Sequence, residues 1–182
     1  MIIFLGVILL FIVISGAIYN RFIQLKALLE EAYSGIDVQL KRRHDLIPNI
    51  VEAVKGYSQY ERKTLENITQ LRSQLMKASP TERDKMESQL STGLKGLFAV
   101  AENYPDLKAN QSFLSLQQQL SEIEDQIQMA RRYYNGTVRN NNILVQSFPS
   151  SIIAGIFHFQ PQKFFEIEYA TDRQVPDVKL GS

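Results

Sequence analysis

Apolar residues fill the first eighteen positions almost without interruption, then recur at steps of three and four along the rest of the chain. Ile2 to Ile18, IIFLGVILLFIVISGAI, is seventeen residues without a charge. As a helix it spans about 26 Å, the short end of what crosses a bilayer core. Ile2, Phe4, Leu5, Leu9, Phe11 and Ile14 supply its apolar bulk, and Tyr19 and Arg21 follow as an aromatic and a cation suited to the interface. Ser15-Gly16-Ala17 would suit a signal peptidase, but no Lys or Arg precedes the run, which favours an uncleaved anchor. Residues 1–20 are therefore read as a transmembrane anchor. Arg21, Lys26, Lys41, Arg42 and Arg43 all follow the span, and the positive-inside bias then puts the rest of the chain in the cytoplasm.

Beyond Tyr19 the apolar positions Phe22, Leu25, Leu28 or Leu29, Ala32, Ile36 and Leu40 mark one face of a helix that continues out of the span. Pro48 divides the readings. Proline disfavours helix at the residue before it, which makes a turn near Leu46-Ile47 natural, with Asp45 capping a new helix. The apolar phase nevertheless carries across through Ile47, Ile50 or Val51, Val54 and Tyr57, so a single kinked helix competes. A second segment runs through Tyr60, Leu65, Ile68, Leu71 and Leu75 to about Ala78. Ser79 or Thr81 would cap a third, which carries Met86, Leu90, Leu94, Leu97 and Val100. Gly93 and Gly96 weaken this third segment and suit close approach of a neighbour.

Asn103-Tyr104-Pro105-Asp106 breaks the pattern before its cleanest stretch. Phe113, Leu116, Leu120, Ile123, Ile127, Ala130 and Tyr134 form a coiled-coil-like seam, which Asn135-Gly136 would loosen or end and which Val138, Asn141 and Val145 resume. Ser151 to Phe159 is a short apolar piece, followed by an aromatic tail with Phe164, Phe165 and Tyr169. The prediction is an all-α chain: a transmembrane helix, an up-and-down four-helix bundle over residues 21–160, and a short aromatic tail over 161–182 strapped across it. The competing reading of the aromatic segment is a patch that contacts membrane or a partner.

Composition narrows the chemistry. Twenty basic residues face 19 acidic ones, so no global field recruits nucleic acid. There is no cysteine and there are only two histidines, His44 and His158, and neither has a glutamate three residues ahead, so no metal or cofactor site is expected. No GxSxG elbow, SxxK pair or phosphate-binding loop is present. The basic cluster Lys41-Arg42-Arg43-His44 is read first as a solvated helix face paired with Asp37 and Asp45. Its alternative role is to bind anionic lipid or an acidic partner, although it lies about 30 Å along a straight helix from the span. A polar network of Asp37, Arg43, Asn49, Arg132 and Asn135 between helices, with Arg42, His44 and Arg131 beside it, is a further candidate.

Several blocks together resemble the LemA family of bacterial membrane-anchored helical proteins. They are Tyr19-Asn20, IDVQLKRRHDLIPN from Ile36, VKGY from Val54, ENYPDLKAN from Glu102, FLSLQQQL from Phe113, RRYYN from Arg131, FPSS from Phe148, and Pro176-x-Val178. The chain departs from the pattern at Asn141, where the family usually has Tyr, and at His158, where Gly is common. The resemblance implies an up-and-down bundle behind one transmembrane helix, at a bacterial inner membrane, and it implies no established enzymatic activity. The expected function is a non-enzymatic scaffold that binds other proteins, with a seam that also permits self-association. The rivals are a lipid-binding or membrane-remodelling module using residues 151–169, and an enzyme or enzyme subunit using a cluster around His44, Arg131 and Arg132.

Overall fold

The computed structural model describes residues 1–55, 62–78 and 80–165, and every regular element among them is helical. The order is α1 (Ile2–Lys55), α2 (Arg62–Leu75), α3 (Pro80–Ala101), α4 (Pro105–Lys108), α5 (Gln111–Gln146) and α6 (Ser150–Phe157). The chain is thus an all-α bundle behind a long apolar N-terminal helix. Tyr57, Tyr60, Ser79, Tyr169 and the Pro176-x-Val178 block lie outside the described residues.

The chain divides into two compact units, one of residues 1–45 with 118–165 and one whose described residues lie within 46–117. In the first, α1 and α5 run antiparallel. Near the start of the pair Phe22 packs with Ile153 and Ala154 of α6 and with Leu144 and Val145 of α5. Further along, Ile36 and Leu40 pack with Ile123, Ile127 and Ala130. The seam read from the sequence is therefore the contact face of α5. In the second unit α2 packs on α3, with Leu65, Ile68 and Leu75 buried on one and Leu90, Leu94 and Leu97 on the other. A Cβ at Gly93 would stand 3.4 Å from Ile68 Cγ1, whereas one at Gly96 would meet open space, so only Gly93 faces a packed neighbour.

The turn expected before Pro48 does not form, because α1 continues through it to Lys55. Leu46, Ile47, Ile50 and Val54 are all buried, so the apolar face is unbroken on both sides of the proline. Pro48 itself is exposed, where the carbonyl released by its missing N–H can be hydrated. Nor does Asn135-Gly136 end α5. Asn110 starts that helix, its Oδ1 accepting from the N–H groups of Ser112 at 2.9 Å and Phe113 at 3.2 Å. α3 begins at Pro80, so Thr81 falls inside its first turn, where a proline's missing donor is harmless.

The apolar piece after α5 is a helix, α6. Ser150 Oγ lies 2.6 Å from Leu144 O and 2.9 Å from Ser147 O, satisfying carbonyls where α5 ends. At the other end His158 takes a left-handed conformation with φ 58° and ψ 34°, and the Phe159 N–H returns to Ala154 O at 3.0 Å. This is a Schellman-type stop, which normally uses glycine. His158→Gly is expected to stabilise the fold by about 0.5–1 kcal/mol, read as a raised thermal midpoint of the full-length protein.

Candidate functional site

The basic cluster is split by the helix. Lys41 and Arg42 are exposed, but Arg43 is 0% exposed and His44 is 9% exposed, so the expectation of a solvated basic face fails for half of it. The reason is register: Leu40, Arg43, Ile47, Ile50 and Val54 step by three and four, which puts a guanidinium in a core position. Its Nη1 donates to Glu124 Oε1 at 2.7 Å, a charge-assisted bond to the neighbouring helix α5. Glu124 keeps 28% of its side chain in solvent.

A second polar construction lies further along α5. After α6 the chain turns back as an extended segment over residues 159–165, and asparagines hold its backbone. Asn142 Oδ1 accepts from the Gln162 N–H at 2.8 Å while its Nδ2 donates to Gln162 O at 2.9 Å. Asn135 does the same to Phe165, at 2.8 Å and 3.0 Å. Asn141 Nδ2 also donates to Gln160 O, at 3.3 Å. The two brackets repeat because the spacings agree: seven helical residues advance about 10.5 Å and three extended residues about 10 Å. An amide side chain can copy both halves of a strand's hydrogen bonding, so α5 grips this strap through its main chain, whatever its side chains.

Aromatic contacts finish the strap. The Arg131 guanidinium sits 4.6 Å from the Phe165 ring centroid, and Phe165 packs with Tyr134 around Ile36 and Ile127. Tyr134 donates weakly to Lys163 O at 3.4 Å and meets Tyr33 edge-on at 6.0 Å. Burial, with Tyr33 adding to it, pushes the Tyr134 phenol above its ordinary 10.0. The folded state therefore holds this proton more tightly than the unfolded one. Its contribution is complete below pH 10 and is lost as pH rises through the folded value. An alkaline step in strap protection, followed by hydrogen exchange, is expected in the native protein and absent in Tyr134→Phe.

The remaining candidate residues fall elsewhere. Arg42, Asn49 and Arg132 are exposed, and Asp37 is half-buried with partners of its own. Arg43 and Asn135 thus serve two separate constructions, the ion pair with Glu124 and the strap. Beside the strap is an open cleft of about 350 Å³ lined by Lys26, Leu29, Glu30, Tyr33, Tyr134 and Gln162. Neither this cleft nor those at Gln74–Met86 and Arg21–Ser150 is lined by His44, Arg131 or Arg132. Glu124 and Asn142 carry the two constructions, and neither was singled out from the sequence. Both could have been sought as complements, an acid for an arginine at a seam position and a second asparagine two helical turns from the first.

The model of the LemA family matches residues 32–180. Protein LemA of Metamycoplasma hominis is 34% identical over 129 residues, covering 68% of this chain, and the match spans about half, 54%, of that protein's own length. Two magnetosome proteins of Paramagnetospirillum magneticum, MamQ 1 and MamQ 2, are each 22% identical over 89% of the chain and 70% of their own length. With its family blocks placed on α1, α4, α5 and α6 and a family match over most of its length, the chain belongs to the LemA family.

Proposed function

We propose that this protein is a membrane-anchored, non-enzymatic scaffold that takes an extended polypeptide segment of a partner along α5. The observation that carries this reading is the paired bracketing of Gln162 and Phe165 by Asn142 and Asn135. The strap acts as an internal stand-in for such a segment. Main-chain recognition supplies affinity with little sequence demand, and side chains beside it supply selectivity. Met129, Tyr133 and Ile143 on α5 and Ile23 and Tyr33 on α1 are exposed apolar groups available for that purpose.

Anchoring supports the same reading. The stretch from Ile2 is long and apolar enough to cross a membrane, and none of its most apolar window is buried in the protein. The cations that follow it favour the bundle in the cytoplasm, at the inner membrane of a bacterium. A tether of this kind concentrates weak contacts at one surface. In-cell crosslinking of the tagged full-length protein, with a fragment of residues 1–20 as the control, should recover a small, reproducible set of partners that requires the bundle. Recovery of the same proteins by both would remove the scaffold reading, and recovery of this protein alone would replace it with self-assembly.

A further inference from the structure

We infer that α6 is a second membrane contact, lying in the interface between lipid and water beside the point where α1 leaves the bilayer. The inference rests on the reading of Ile2–Ile18 as a membrane span and goes beyond it. Ile153 and Ala154 of α6 pack on Ile18, Tyr19 and Phe22 of α1. The Phe157 ring lies 4.7 Å from the ring of Tyr19, and Phe159 stacks on Phe22 at 4.4 Å. The helix is therefore fixed to the turn of α1 that follows the last residue of the apolar run.

Length sets that turn at the bilayer's edge. A hydrocarbon core of about 30 Å needs about 20 helical residues, so a span that starts at Ile2 runs out near Arg21. The apolar run ends at Ile18, with Tyr19 and Asn20 before the first charge at Arg21. The level where the apolar run gives way is the one α6 occupies, and there α6 and Phe148 just before it turn apolar groups outward. Phe148 is 82% exposed, Ile152 48%, Ile156 62% and Phe157 53%. From Gln146 to Gln162 no Asp, Glu, Lys or Arg interrupts the sequence. In water such a surface would invite aggregation, whereas at the acyl-chain boundary lipid would cover it. The absence of charge separates this contact from electrostatic adhesion, so neutral lipid is sufficient for it.

The chain has no tryptophan, so a single introduced Trp reports one position without background. Full-length Ile156→Trp and Phe148→Trp would each be placed in phosphatidylcholine vesicles with bromine high or low on the acyl chain. Phe11→Trp in the span and Val38→Trp on the exposed side of α1 are the controls. The reporters at Ile156 and Phe148 should both lose most of their emission to bromine near the head group and little to bromine at the midplane. Unquenched reporters at Ile156 and Phe148 with a quenched Phe11→Trp would overturn the inference while leaving the anchor intact, and shielding from aqueous quencher would then assign the face to a protein partner. An unquenched Phe11→Trp would remove the anchor, and this inference with it. Ile156 and Phe148 are largely exposed, so neither substitution disturbs the core.

Discussion

Replacing Glu124 by alanine is expected to destabilise the folded protein by about 2–3 kcal/mol, and replacing Arg43 by methionine by less than half as much. The asymmetry follows from exposure. Arg43 is 0% exposed, so loss of its acid takes a charge-assisted acceptor from a buried guanidinium. Glu124, with 28% of its side chain in solvent, can be hydrated once the arginine is gone, which also holds the figure below that for a fully buried pair. Methionine retains much of the arginine stem's apolar volume. Thermal unfolding of the full-length protein in detergent, as a double-mutant cycle, measures the effect. Glu124→Ala in the Arg43→Met background should be nearly silent, and a full loss there would show that Glu124 acts through something other than Arg43.

The strap carries the second large effect, and it is local. Asn135→Ala with Asn142→Ala removes four hydrogen bonds between α5 and the chain returning from α6. At roughly 0.5–1.5 kcal/mol each, less what hydration returns to exposed peptide groups, the segment should open more easily by about 3 kcal/mol. Amide exchange at Gln162 and Phe165 should then quicken on the order of a hundredfold, while the core of α1 and α5 keeps its protection. Global loss of protection would show instead that the strap holds the α1–α5 pair together. Each single variant should give about half the effect in free energy if the two brackets act independently.

Much of this fold is legible in the sequence. The seam from Phe113 to Val145, the break at Tyr104-Pro105 and the apolar start all follow from period and punctuation, and each is where it was expected. Of the two readings at Pro48 the turn fails and the continuous helix holds, because a local rule against helix meets a buried face that runs through it. Tertiary burial of Ile47 and Ile50 decides that contest, and no window of sequence shows what those residues bury against. The charged cluster was misjudged for a related reason. Runs of cations usually face water, yet Arg43 falls on the heptad step between Leu40 and Ile47, a signal present in the sequence and outweighed by residue type. The strap could be anticipated as an aromatic tail over the bundle, since Phe165 covers Ile127. Its attachment could not, because Asn135 and Asn142 recognise backbone, and backbone leaves no complementary pattern in sequence. His158 is the converse case. Its departure from a position where the family favours Gly coincides with the one described non-glycine residue at positive φ.

The central claim is that α5 binds polypeptide through Asn135 and Asn142, and comparison of crosslinked partners tests it most directly. Full-length wild-type protein and the Asn135→Ala, Asn142→Ala double variant would be crosslinked in cells at matched membrane levels, and their bundle-dependent partners compared. The account predicts that those partners are lost from the variant while it remains folded and in the membrane. An unchanged partner set would contradict it, and would leave the asparagines with no role beyond holding the strap.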